Sequence, residues 1–347
     1  MKAEIGTRAT LLAVVAVVVA VVAGTASAAP ERGSAGSLKG AGSSFVFPLV
    51  SQWAPGYDSA TGTTVNYDPI GSGGGITAIT NRTVDFGASD APLSPDQFSA
   101  CKGCVQIPWA LSATAVAYNL PGVRNNLRAN GRILAGIYKG TITKWNDPAI
   151  RRLNPGVNLP STDITPVHRS DNSGTSYNFT EYLSSVDADW RSRFGKGVNV
   201  NWPAGPGARG SSGVAGVVAR TTGAVGYFDI AYAKANKLQF FAVQNRSGKY
   251  ALPGLRGIRA AAESDPTVGA NNEMSIVNPP KRFTNAYPIA TYTYVIVPLR
   301  TDKAAELRRF VFWALTKGQT YGPRLLFQPI PKHVLVAAER TLKRVQS

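Results

Sequence analysis

The sequence predicts an α/β fold divided into two domains, and three observations predict it. Strand-like runs alternate with short helical patterns along most of the chain, as open, largely parallel sheets require. The length of 347 residues exceeds what one hydrophobic core usually serves. The run "VQIPWALSATAVAYNL" (105–120) has the length and β-branched content of one or two buried strands.

The first 28 residues read as an export signal. Lys2 and Arg8 form a charged head, residues 11–23 are continuously apolar, and Ala26-Ser27-Ala28 fits a cleavage site. The apolar run falls short of the roughly 20 residues of a membrane span; an uncleaved anchor is the alternative reading. Residues 29–37 form a Gly/Ser-rich spacer. A helix is expected near 46–60, with Leu49, Val50 and Trp53 on one face. "TTVNYDPIG" reads as a strand, "GSGGGITAITNRTV" as a glycine turn feeding a short helix, and "VDFGASDAPL" as a strand and turn. Helices follow at 128–138 and 174–186, then the strand "GAVGYFDI" and the β-rich run 287–298. The last helix spans 302–316, where Leu307, Phe310, Val311, Ala314 and Leu315 keep a 3–4 spacing. Thr301 or Asp302 is placed to cap it.

The formal net charge is +17. Such a field attracts small anions, an anionic cell wall or nucleic acid. No helix-turn-helix, finger or RNP-like signature accompanies it, and export argues against chromosomal DNA. Cys101 and Cys104 are the two cysteines; in an exported chain they read as a local disulfide, with a C-x-x-C redox pair as the alternative. With His168 and His333 the only histidines, the composition does not suit a zinc site, and no other metal site or cofactor is expected. Gly205-Pro206-Gly207-Ala208-Arg209-Gly210 matches G-x-G-x-x-G, with Asp229 further on, but Pro206 and export oppose a dinucleotide site. No G-x-S-x-G elbow occurs and nothing assembles a Ser-His-Asp array, so no catalytic residue is assigned.

Four local patterns share one design. They are Gly40-Ala41-Gly42-Ser43-Ser44-Phe45, Gly71-Ser72-Gly73-Gly74-Gly75, Asp85-Phe86-Gly87-Ala88-Ser89-Asp90, and Arg169-Ser170-Asp171-Asn172-Ser173-Gly174-Thr175. Three are small-residue loops that open helices. The first turn of a helix has N–H groups without partners, and its dipole favours negative charge. Small residues let a ligand reach those groups, and Arg169 adds a two-pronged donor. In a basic chain, this combination points to a tetrahedral oxyanion.

These patterns, with "IYKGTITKWNDPAIRRLNPGVNLPS", "HRSDNSGTSYNFTEYL" and "GAVGYFDIAYAK", resemble the periplasmic phosphate-binding proteins of phosphate-specific ABC transporters, from about Leu38 to the last helix. The resemblance implies a two-lobed type II periplasmic-binding-protein fold with the ligand between the lobes. It places lobe I at 38–118 plus 286–347 and lobe II at 119–285, joined by the crossing strands "TAVAYNL" and "YPIATYTY". It implies phosphate contacts from Ser44, Phe45, Ser72, Asp90, Arg169, Ser173, Gly174 and Thr175, with Asp171 orienting Arg169. It implies a monomer that serves an ABC permease and makes or breaks no bond. Departures are Ser44 where a threonine is usual, Val46 where proline is frequent, and the cysteine pair. A secreted phosphatase and a basic cell-wall or surface-binding protein on the same scaffold are the alternatives.

Overall fold

A computed structural model describes residues 36–347, so the export signal and most of the spacer lie outside the described residues. The spacer ends early: Ser37 already pairs with Thr64 as the first residue of strand β1 (Ser37–Gly42). Helix α1 (Phe47–Thr61), strand β2 (Thr64–Asp68), helix α2 (Ser72–Thr80) and strand β3 (Phe86–Ser89) follow in strict alternation. The short helix α3 (Pro95–Cys101) leads into the fifteen-residue strand β4 (Cys104–Tyr118). Cys101 and Cys104, whose Cα atoms are 5.6 Å apart, are joined by a disulfide at that junction.

The middle of the chain holds strand β5 (Arg128–Ala129), helices α4 (Gly131–Lys139) and α5 (Pro148–Leu153), strand β6 (Thr165–Arg169), and helices α6 (Gly174–Val186) and α7 (Ala188–Arg193). Strand β7 (Gly207–Ala208), helix α8 (Gly210–Arg220), strand β8 (Ala224–Asp229) and helix α9 (Ile230–Ala235) come next. After the short strands β9 (Gln239–Phe240), β10 (Ala242–Gln244) and β11 (Tyr250–Ala251) and helix α10 (Leu255–Ala262), strand β12 (Ala290–Pro298) re-enters the sheet. Helices α11 (Ala304–Leu315) and α12 (Lys332–Leu342) close the chain.

The principal sheet runs β2-β1-β3-β12-β4-β8-β6-β7, with β9 also on β4. Its outer pairings, β1 with β2 and β3 and β6 with β7 and β8, are parallel, as the alternation demands. The centre differs from the largely parallel expectation. β12 inserts between β3 and β4 and runs antiparallel to both, and β4 is antiparallel to β8. β12 reaches the sheet only after some 170 residues of other structure and enters from the opposite end, which alternation alone cannot reveal. Every residue of β4 and of β12 is buried, which accounts for their predominantly apolar, aromatic and β-branched content.

Three local expectations are corrected. Arg128 and Ala129 are strand, and the helix expected from 128 starts at Gly131, because Asn130 Oδ1 accepts the Ile133 N–H at 3.0 Å and caps it there. Neither Thr301 nor Asp302 caps α11; Lys303 is its N-cap residue, and Thr301 Oγ1 accepts the Lys303 N–H at 3.3 Å in the preceding turn. A helix beyond 316 was not expected, yet Val334, Ala338 and Leu342 are buried at a four-residue spacing along α12.

Aromatic clusters support the loops that follow the strands. Phe86, which leads the Asp90 loop, lies 5.9 Å from Trp109 and 5.5 Å from Phe310, centroid to centroid. Under the Arg169 loop, Tyr227 stacks on Phe179 at 4.5 Å and on Trp202 at 5.6 Å. His168 completes that second group by stacking on Trp202 at 5.1 Å, a packing role at the edge of the core.

Candidate functional site

The chain ends β1 at Gly42 and turns sharply through Ser43 and Ser44 before α1. Ser43 N–H donates to the Ala88 carbonyl at 2.9 Å, which ties this turn to the end of β3. Ser43 Oγ accepts the N–H groups of Phe45 (3.0 Å) and Val46 (3.4 Å) and donates its own hydrogen to Asp90 Oδ1. The Phe45 N–H, expected to face a ligand, is therefore directed first at Ser43.

Asp90 is 2% exposed. Its Oδ1 also accepts from Thr293 Oγ1 at 3.0 Å, and its Oδ2 accepts from Thr175 Oγ1 at 3.3 Å. Its backbone N–H donates to Ser72 Oγ at 3.3 Å, and its carbonyl accepts from Asn178 Nδ2 at 3.1 Å. Burial pushes the carboxyl up to about 6; the Ser43 and Thr293 hydroxyls, the Arg169 charge and the Thr175 hydroxyl hold it from rising further.

Arg169 ends β6 and is 2% exposed. Its Nε donates to Asp171 Oδ1 at 2.7 Å and its Nη2 donates to Asp171 Oδ2, a bidentate fork. Nη1 points at Thr175 Oγ1, 3.4 Å away, and so towards the Asp90 side of the site. The Arg169 N–H donates to Tyr227 OH at 3.0 Å, which couples the loop to the aromatic cluster beneath it. Burial raises the Asp171 carboxyl, but the Arg169 hydrogen bond and charge, with the Gly210 N–H at 3.1 Å, outweigh it and leave the group below its usual value.

Ser173 caps α6 by accepting the Ser176 N–H at 3.2 Å, which leaves its own O–H free to donate. Gly174 is required by a close approach. A Cβ there would lie 2.7 Å from the backbone nitrogens of both Asp90 and Ala91. Gly71 has φ of +93°, and a Cβ there would collide with Asp171 Oδ2. The Gly73 N–H donates to the Asn172 carbonyl at 2.9 Å, so the start of α2 sits directly against the loop before α6.

Three helix N-termini therefore converge on one place, those of α2, α6 and α8. Ser44 links the third. Its Oγ accepts the Ser211 N–H at 2.9 Å and lies 3.1 Å from Ser211 Oγ, while its carbonyl accepts from Tyr232 OH at 2.7 Å. The arrangement offers hydroxyl and N–H donors and one oriented guanidinium to an anion. Since Asp171 neutralises Arg169, it also presents one uncompensated carboxylate, Asp90. Among the described residues no group of three or more His, Cys, Asp or Glu side chains is placed to hold a metal ion.

A family model for the PBP superfamily domain matches residues 27–317. The phosphate-binding protein PstS of Xylella fastidiosa strain Temecula1 is 39% identical over 306 residues, covering 87% of this chain and 84% of that protein. PstS of Methanocaldococcus jannaschii is 31% identical over 316 residues, covering 83% and 81%. This chain belongs to the PBP superfamily, in its PstS family. Among solved structures, a high-affinity periplasmic phosphate-binding protein with bound phosphate superposes with a TM-score of 0.72 at 19% identity, over 88% of this chain and 93% of that one. The fold is thus the α/β type II periplasmic-binding-protein fold.

The structure gathers into one site every residue that the sequence nominated: Ser44, Phe45, Ser72, Asp90, Arg169, Asp171, Ser173, Gly174 and Thr175. It adds Ser43, Thr293, Gly210, Ser211, Tyr227, Tyr232 and Asn178. Ser43 lay inside a quoted loop and its small polar side chain was a readable signal. Gly210 is the last glycine of the G-x-G-x-x-G match and opens α8, and Ser211 follows it. Asp229, the acidic partner of that match, caps α9 through the Ala231 N–H at 2.9 Å and binds Ser112 Oγ. Burial raises its carboxyl well above the usual value, and it makes no nucleotide-like arrangement.

Proposed function

We propose that this chain captures inorganic phosphate outside the cytoplasmic membrane and delivers it to an ABC permease, without turnover. The observation that carries the reading is Asp90: a buried, negatively charged group set among donors that suit an anion. A site of donors alone would take sulfate as readily as phosphate. Hydrogen phosphate has an O–H to donate to a carboxylate, whereas ionised sulfate meets that carboxylate with no proton between them. Leaving a buried charge unpaired costs about 2–5 kcal/mol, which is roughly 30- to several-thousand-fold in affinity.

Energetically the assembly suffices. Charge-assisted hydrogen bonds contribute about 1.5–3 kcal/mol each, and micromolar binding needs about 8 kcal/mol. Several such bonds exceed that even after association costs. In this reading Ser44, Phe45, Ser72, Ser173, Gly174 and Thr175 are donors, Arg169 supplies charge, and Asp171 holds Arg169 in place. Residues 38–118 with 286–347 act as one lobe and 119–285 as the other, and closure about segments 114–120 and 287–294 removes water from the ion. The protein works as an exported monomer, and its positive charge draws anions, including those of a cell wall, towards it.

Calorimetric titration with phosphate and with sulfate at neutral pH tests the reading. Tight phosphate binding with weak or absent sulfate binding supports it; equal binding of the two ions overturns it. Release of phosphate from a phosphomonoester by the purified protein would overturn the assignment as a binder without turnover.

A further inference from the structure

Asp90 can check for a proton only if the right oxygen faces the ion. A carboxylate has two oxygens, and either can accept. Here they are not equivalent. Oδ1 receives two hydroxyl hydrogens, from Ser43 and from Thr293 at 3.0 Å, while Oδ2 receives a single longer contact from Thr175, 3.3 Å away. Thr175 is itself one of the proposed phosphate donors, so on binding Oδ2 is the oxygen left to accept from the ligand.

Thr293 reaches this position through the register of β12 on β3: Tyr294 pairs with Ser89, so Thr293 lies beside Asp90, the residue after Ser89. Along the pairing of β12 with β4, Thr293 lies opposite Ala110 and Tyr294 opposite Pro108, so Trp109 is the extra residue of a bulge. The bulge lies in β4, beside Pro108, which has no N–H to lose from the ladder. Thr293 is 1% exposed and its neighbour Thr291 points its hydroxyl towards the Asp90 carbonyl at 3.5 Å.

We propose that Thr293 is a specificity-determining positioning residue: with Ser43 it occupies Asp90 Oδ1 and so presents Oδ2 alone to the proton of the bound ion. The inference rests on the phosphate reading above. Thr293 acts through Asp90 and touches the ion by no contact of its own. The other titratable groups around Asp90 are Arg169, Asp229, Tyr67 and Tyr232, and none is altered in the test.

The experiment compares Thr293→Val, which keeps the shape and removes the hydroxyl, with Thr293→Ser, which keeps the hydroxyl. Phosphate and sulfate are titrated calorimetrically into each intact protein from pH 5 to pH 8. Thr293→Val is expected to lower the phosphate-over-sulfate ratio by about tenfold. It is also expected to move the acid limb of phosphate binding to higher pH, because a hydrogen bond to the ionised carboxylate is lost. Thr293→Ser is expected to restore both. A Thr293→Val protein with unchanged ratio and unchanged acid limb overturns the inference, and so does a loss that Thr293→Ser shares in full. If the unaltered protein prefers phosphate and Asp90→Asn abolishes the preference while Thr293→Val does not move it, this inference alone falls. If the unaltered protein does not bind phosphate, both readings fall.

Discussion

Arg169 and Asp171 face each other through two parallel N–H···O contacts, Nε to Oδ1 at 2.7 Å and Nη2 to Oδ2, two residues apart on one loop. The pair fixes the plane of a guanidinium that is almost wholly buried. The remaining edge, Nη1, is the part that points at Thr175 and the Asp90 side. Arg169→Ala is expected to weaken phosphate binding by at least about tenfold. Asp171→Ala leaves the buried charge without its partner and is expected to cost about 3 kcal/mol of stability. Calorimetry and urea unfolding of the two variants check this; a stable, fully competent Asp171→Ala protein would show that the fork is ornamental.

The specificity argument isolates one atom pair. Asp90→Asn replaces an acceptor-only group with one that also donates two hydrogens. Phosphate affinity is expected to fall while sulfate affinity rises, so that the two converge. Competition between the ions, followed by calorimetry at pH 8, measures the convergence. Full retention of the preference would move the discrimination elsewhere.

Ionisation of Asp90 also leaves a signature in stability. Burial lifts its carboxyl to about 6, above the ordinary aspartate value of 3.8, so the folded state holds this proton more tightly than the unfolded chain does. Such a group disfavours folding most above pH 6, and the penalty fades as the pH falls from about 6 towards 4. The unliganded protein should therefore gain stability relative to Asp90→Asn when the pH drops from 7 to 5. Urea midpoints of both proteins at the two pH values decide it; a shift in the opposite direction contradicts the placement of Asp90.

Gly174 offers a separation of fold from site. It is the first residue of α6, where alanine is intrinsically preferred to glycine by up to about 1 kcal/mol. An added methyl would nevertheless meet the backbone of Asp90 and Ala91 at 2.7 Å. Gly174→Ala is expected to keep its secondary structure, by circular dichroism, and to lose phosphate binding by about tenfold or more. Undiminished binding would mean that the helix start does not sit against Asp90 when the ion is held.

The sequence made the site legible where the site is local. A loop such as Arg169–Thr175 carries its chemistry in consecutive residues: the arginine, its orienting carboxylate and the capped helix start follow one another. Thr293 was illegible for the opposite reason. It lies in a buried strand whose residues alternate Thr and Tyr, and only its pairing with β3, some 200 positions earlier, sets Thr293 against Asp90. Ser211 was hidden because its partner Ser44 is 167 positions away. In the fold, α/β alternation could be read from local periodicity, whereas the insertion of β12 between β3 and β4 depends on pairing between distant segments. Helix α12 was missed because charged residues frame its short buried stripe.

The strand from Cys104 to Tyr118 pairs with β12 along residues 104–113 and with β8 along 114–118. A single stretch of backbone thus belongs to two ladders, and freeing it from one strains its attachment to the other. Its amide hydrogens on either side of Ala113 should consequently be replaced by deuterium together, on the slow timescale of whole-molecule opening, making this segment the spindle about which the rest of the chain is wound.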